Sequence, residues 1–445
     1  MTAALPLSAG QEAMWFLHRL APLSAAYNVV LGVRTHSPLD EKALGRAVAA
    51  LARRHELLTS VYEEEDGQPV RRPAPGLPVP FEVREVPGRT DEELALLARE
   101  AGARPFALTD AWPFRVVLLR RGPADAALVV AAHHIASDAT SQWLMLRDLL
   151  DSYALGGAPL PAAAPYSQYV DRERALTGSP AHARAEEFWA GLGAGTVAAT
   201  LPHDRPGTGQ AALRGATYVH PLDPELAAGL PDAAARIGVT PFALLLGAFQ
   251  AAVHRSTGLD DFLIGCPAST RIAKGTADMV GYLVNSLALR ARFAAGATIG
   301  ETVDEAHLGL LAGLRRLRHP VPVPGFAMAV TLLATDRLPV PGLAGAAEGT
   351  TYGGLRLTLL DLPHMEGQFD FNVELRSGAD ELTVVLRYAD DLFERETVER
   401  FAELYRRMIE AAVDRPAAVV SRIAPTADDQ LAELLALGDS QYDEW

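Results

Sequence analysis

The chain has 445 residues, 49% of them hydrophobic, and a formal net charge of −15. That much apolar chain divides more naturally into two units than into one core, and the acidic balance excludes broad nucleic-acid binding, which needs a basic surface to meet the phosphate backbone. A single cysteine, Cys266, excludes an intramolecular disulfide framework and a multi-cysteine metal cluster, and suits a reducing compartment.

The opening Met1-Thr2-Ala3-Ala4-Leu5-Pro6 lacks a basic stretch followed by an apolar one, and no apolar run approaches the roughly 20 residues that span a bilayer. A cytoplasmic protein with no membrane partner is expected. Strands are predicted at 27–35, 114–121, 125–133, 261–267, 283–291, 326–333, 369–377 and 381–388. Helices are predicted at 40–54, where Leu44, Val48 and Leu51 recur at helical spacing after a cap at Asp40, and at 91–103, 141–153, 182–191, 240–256, 300–317 and 394–413. The fold class is therefore mixed α/β. Gly156 to Ala164 is built of Gly, Pro, Leu and Ala, and a second loop runs from Pro202 to Gly207. We place the boundary near residue 175, giving units 1–175 and 176–445, with a last helix and frayed acidic end from Ala424 to Trp445. Arg315, Arg316 and Arg318 read as a solvated helix face.

Several motifs fail on context. Gly193-Ala194-Gly195 follows a helical stretch instead of leaving a strand. No Gly-Lys-Ser/Thr phosphate loop or Gly-x-Ser-x-Gly elbow is present. His55-Glu56 has Thr59 where a zinc-binding His would have to stand, so no metal and no bound cofactor are expected.

The productive motif is His133-His134-Ile135-Ala136-Ser137-Asp138. It follows the continuous apolar run Ala126 to Ala132, a buried strand. Adjacent strand residues face opposite ways, so one histidine should meet a cleft and the other pack inward. Imidazole, with an ordinary pKa of about 6.5, suits proton removal from an amine or hydroxyl at neutral pH. A carboxylate can hold such a loop through an arginine. Spacing alone equally allows Asp138 to be a helix cap and both histidines to be half-buried residues bonded to backbone.

The run from His133 to Asp138 resembles the His-His-x-x-x-Asp-Gly signature of the condensation domains of nonribosomal peptide synthetases and their acyltransferase relatives. Further blocks follow in the family's order: Ser8-Ala9-Gly10-Gln11 through Trp15-Phe16-Leu17, Arg54-His55-Glu56-Leu57-Leu58, Tyr166-Ser167-Gln168-Tyr169, Val280-Gly281-Tyr282-Leu283-Val284-Asn285-Ser286, Phe369-Asp370-Phe371, and Tyr388 to Phe393. The resemblance implies two chloramphenicol-acetyltransferase-like lobes arranged as a V, a pseudodimer with the motif in a tunnel between them. It implies His134 as the catalytic residue and His133, Asp138 and Ala139 as the shape of its loop. It places Asn285, Tyr282, Ser286 and Trp15 near the tunnel, with Trp15 and Tyr282 as core or wall, and gives Arg54 a structural or lobe-packing role. The Asn285 amide either bonds a substrate carbonyl or satisfies backbone.

The implied reaction passes an acyl or aminoacyl group from the phosphopantetheine thioester of a carrier protein to an amine or hydroxyl of a small-molecule or carrier-bound acceptor. The alternatives are a coenzyme A-dependent acyltransferase and a non-catalytic recruiting module of the same fold. A free-standing enzyme is expected from the acidic ending. Ala139 stands where the family has Gly, which narrows the site if the space beside that backbone matters, and His319 to Pro324 follows its family block only loosely.

Overall fold

A computed structural model describes residues 3–206, 215–320, 326–344, 349–360, 362, 369–378 and 381–424. The expected last helix, and most of the loop after His319, lie outside these residues.

Two central sheets organise the chain, each with its own core. The first has six strands in the order Thr350–Tyr352, Leu355–Leu360, Asn28–Thr35, Asp125–His133, Phe114–Gly122 and Phe81–Glu85. Glu41–Arg54 and Ala139–Ala154 cover one face, burying Leu44, Val48, Leu51, Leu146 and Leu149 against Val116, Leu128 and Val130. Asp91–Ala103 covers the other, setting Leu94, Ala98 and Ala101 on Val117, Leu119 and Val129. Both faces are thus buried, which is why Asp125–His133 reads as an unbroken apolar run.

The second sheet runs Val284–Arg292, Asp261–Ser269, Met328–Ala334, Phe371–Ser377, Leu382–Ala389 and Gly215–Pro221, with Val197–Ala198 added beside Asp261–Ser269. Pro241–Thr257, Ile299–Leu314 and Arg395–Asp414 bury their apolar faces in its core. Residues such as Thr240 and Thr298 start these helices by accepting a backbone N–H three positions on. Among the described residues no single helix is long and apolar enough to cross a membrane.

Every strand and helix read from the sequence within the described residues is present, with ends moved by no more than three residues. Helices Ala9–Leu20, Ser167–Leu176 and Pro224–Arg236, and the small sheet of Leu5–Pro6, Gln68–Pro73 and Ser60–Glu65, were not anticipated. The hairpin of that sheet turns at Asp66-Gly67, both at positive φ, the conformation an Asp-Gly pair adopts most readily.

The boundary at residue 175 falls inside Ser167–Leu176, and it does not describe one hairpin. Leu355–Leu360, far along the second half, pairs antiparallel with Asn28–Thr35 and extends the first sheet. Leu357 is fully buried there among Val33, Leu128 and Leu150. The two lobes are therefore joined by a shared sheet as well as by loops. Leu357→Ala is expected to cost about 2–5 kcal/mol, the range for a buried Leu truncation, and to speed amide exchange along Asn28–Thr35. Urea unfolding with hydrogen exchange checks both, and unchanged exchange in that strand would contradict a tie at this point.

Candidate active site

The buried strand Asp125–His133 ends at His133, opposite Asn28, and the chain leaves the sheet in one 3-10 turn, His134–Ala136. Helix Ala139–Ala154 begins immediately after it. Asp138 caps that helix, its Oδ1 accepting the Ser141 N–H at 2.8 Å. A rigid strand and a rigid helix thus hold a five-residue connection between them.

The two histidines divide as strand geometry requires. His133 is buried, its Nδ1 accepts the Ile135 N–H at 3.1 Å, and its ring meets the edges of His18 and Phe106. Burial pushes its pKa down to about 3, with the neighbouring His18 and His134 acting in the same direction, so it is a neutral packing residue. His134 is half-buried. Its Nδ1 lies 2.6 Å from the Ser137 carbonyl oxygen, and since a carbonyl can only accept, Nδ1 carries the proton. Nε2 is then the unprotonated nitrogen. Burial lowers the His134 pKa from its ordinary value, so Nε2 remains a free base at neutral pH. The ring of Tyr282, from the second half of the chain, stands 4.9 Å away by centroid at 61°. Its hydroxyl is pushed up to about 12 by burial and stays protonated.

Asp138 has a second oxygen, and that oxygen fixes the loop to the other lobe. Arg271 Nη1 lies 2.5 Å from Oδ2, and the Leu283 N–H donates to the same oxygen at 3.0 Å. Burial alone would raise the Asp138 pKa. Arg271 and the Ser141 and Leu283 N–H groups outweigh it and hold the carboxyl below its usual range. Arg271 also donates to the Ser141 hydroxyl at 2.7 Å and to the Met279 carbonyl at 3.0 Å. Asp138 therefore acts through structure, as cap and tether. Arg271 was not picked out of the sequence, since one arginine among loop residues leaves no periodic or motif signal.

The dispersed sequence blocks meet at this loop. Gln11 donates its side-chain N–H to the Ile135 carbonyl at 2.9 Å, pinning the 3-10 turn. Ser8 caps Ala9–Leu20 and lies 3.0 Å from the Tyr166 hydroxyl, which itself donates to the Tyr282 carbonyl at 2.7 Å. A Cβ on Gly10 would stand 2.3 Å from the Tyr282 ring, so only glycine lets that ring reach its place beside His134.

Two cavities flank the region. One, of about 360 Å³, lies between the two sheets, with Ala139, Gln142 and Trp143 on one side and Glu374, Arg376 and Arg387 on the other. Ala139 is the first residue of its helix and lies outside the left-handed region, so alanine is unstrained and its methyl forms part of the wall. The other, of about 330 Å³, contains Tyr282, Asn285 and Ser286 in its lining. The Asn285 amide is already committed: its N–H groups go to the Leu317 and His319 carbonyls at 3.0 and 3.1 Å, and its oxygen accepts the Ser286 N–H. Trp15 is buried with Leu7, Met14 and Tyr62 and lines neither cavity. Arg54 pairs with Asp148 at 2.8 Å and reaches the Pro161 carbonyl, so its packing lies within the first lobe. Of the candidates, the structure gathers His134, His133, Asp138 and Tyr282 at the loop, packs Trp15 in the core that includes Ile135 and Ala136 of that loop, and sets Arg54 apart.

The family model described as Condensation domain matches residues 1–322 and 346–435. The chain belongs to the condensation-domain family. It is 32% identical, across 97% of its length, to a probable non-canonical nonribosomal peptide synthetase, CymA, of Salinispora arenicola, of which it spans 6%. The first condensation domain of the calcium-dependent antibiotic synthetase, solved with a substrate analogue, superposes with a TM-score of 0.77 at 22% identity, covering 95% of this chain and 99% of that one. The X-domain of teicoplanin biosynthesis in complex with OxyB superposes at 0.82 and 22% identity, covering 96% and 97%. The fold is the chloramphenicol-acetyltransferase-like pseudodimer of this family, as expected. The chain is also 29% identical, across 97% of its length, to the phosphinothricin tripeptide synthetase PhsC of Streptomyces viridochromogenes, of which it spans 41%.

Arg271→Met tests the tether. Leaving Asp138 buried without its cation is expected to cost about 3–5 kcal/mol. A loss under about 1 kcal/mol by urea unfolding would show that Asp138 does not depend on Arg271.

Proposed function

We propose that this condensation domain joins an acyl group, delivered as a carrier-protein phosphopantetheine thioester, to an amine or hydroxyl acceptor. The observation that supports it most is the state of His134: Nδ1 is engaged by Ser137, and Nε2 is left basic on a half-buried ring. In the proposed step Nε2 takes the proton of the nucleophile as its lone pair bonds to the thioester carbon. The tetrahedral intermediate then collapses, breaking the carbon–sulfur bond, and the proton passes from His134 to the departing thiolate. Amide or ester and free thiol are the products.

His133 and Asp138 support the step from behind. A neutral His133 adds no charge beside His134, and the tethered Asp138 keeps the loop on its turn. Positioning of this kind converts a bimolecular encounter into a near-attack geometry.

A second reading has its own support in the X-domain solved with OxyB, a domain of this fold that holds a partner protein. On that reading the chain recruits a partner protein and forms no bond. His134→Ala separates the two. With acyl-loaded carrier proteins and candidate amines followed by intact mass, the variant is expected to lose at least about 100-fold in product formation, the usual worth of a general base, with an unchanged melting temperature. Full activity in the variant would overturn the assignment, and turnover with free acyl-coenzyme A alone would replace the carrier-bound donor.

A further inference from the structure

The cavity beside Tyr282 holds a charged group for which the acyl-transfer step has no use. Glu173, on helix Ser167–Leu176, is 8% exposed and lines that cavity together with Tyr169, Thr270 and Asn285. One oxygen accepts the Ala9 N–H at 2.6 Å. Thr270 donates to the Tyr169 oxygen at 3.2 Å, which leaves the Tyr169 proton to be given to Glu173. Among the described residues no cation forms a salt bridge with it. Burial raises its pKa, with Glu12 adding to the effect and Ala9, Tyr169 and Arg174 opposing it. A buried carboxylate held by neutral donors alone is costly. A cation arriving from the cavity would remove that cost.

Asn285 cannot take the role of polar contact, because its amide is spent on the 317–319 backbone. Arg318 also lines the cavity but is exposed, where solvent and salt screen its repulsion. The cavity leads to the ring that packs on His134. Tyr282 is therefore shared between the wall of this cavity and the packing against His134.

We infer that this cavity is a seat for a cationic acceptor: an ammonium or guanidinium group, distinct from the reacting atom, docks on Glu173 while the amine or hydroxyl at the other end reaches toward His134. Naming the occupant as acceptor rests on the acyl-transfer reading. The cation site itself does not, so it is tested by binding.

The probe is 1,4-diaminobutane, with 1,4-butanediol as the uncharged control of equal length, titrated at constant ionic strength. Saturable binding of the diamine but not the diol is expected, weakened at least tenfold in Glu173→Gln. Glutamine keeps the acceptor for Ala9 and removes the buried charge, so the variant should melt at or above the parent near neutral pH. A purely structural Glu173 would give a lower melting temperature and unchanged diamine binding. Ala13→Phe, at an exposed helix position that also lines the cavity, should block the diamine with Glu173 intact. Equal binding by parent and both variants, equal binding of diol and diamine, or no saturable diamine binding would each overturn the proposal. Loss of turnover in His134→Ala with diamine binding retained would leave both this site and the acyl-transfer reading standing, whereas full turnover there would remove only the latter.

Discussion

The carboxylate of Asp138, 1% exposed, ties the loop that carries His134 to both halves of the chain. One oxygen starts the helix after the motif, and the other binds Arg271 and the Leu283 N–H from the opposite half of the chain. A buried ion pair is weak evidence for net stability, because desolvation offsets much of the attraction. Its value here is registry. Arg271 sits twelve residues before Leu283, and both end on the same oxygen, so the segment carrying Tyr282 cannot slide without breaking a charged contact.

The rest of the site is assembled on that constraint. Tyr282 is set against His134 from one side by Gly10, which alone leaves room for the ring, and its carbonyl is held by Tyr166. Gln11 holds the turn from beneath. The hairpin at 350–360 ties the lobes a second time through the sheet. Arg147 adds a bridge by reaching Asp278 from helix Ala139–Ala154. The histidine is thus carried on rigid elements, and the polar groups around it are engaged before any substrate arrives.

Most of the fold was legible because its strongest signals are local. The apolar run 126–132 and the helical spacing at 40–54 each specify an element without reference to the rest of the chain. Short polar strands such as Gln68–Pro73 and Thr350–Tyr352 escaped, although Asp66-Gly67 and Gly353-Gly354 marked their turns. The hairpin's membership of the first sheet could not be read, since pairing across more than 300 residues leaves no local pattern. In the site, His133 and His134 separated as strand alternation requires. The blocks Ser8–Gln11 and Tyr166–Tyr169 were recognised only as resemblance, and the bonds of Gln11 to the histidine turn and of Tyr166 to Ser8 and the Tyr282 carbonyl supply the reason those residue types stand there. Arg271 and Glu173 were missed because their meaning comes from burial and partners, which spacing does not encode.

This framework presents His134 as a neutral imidazole with its proton on Nδ1 and Nε2 left as the basic nitrogen. Imidazole nitrogen-15 NMR of the intact protein across pH reads that state directly. Nδ1 protonated and Nε2 unprotonated are expected at neutral pH, with the ring gaining its second proton only as pH falls through a midpoint below 6.5. A proton on Nε2, or a midpoint at or above 6.5, would contradict it.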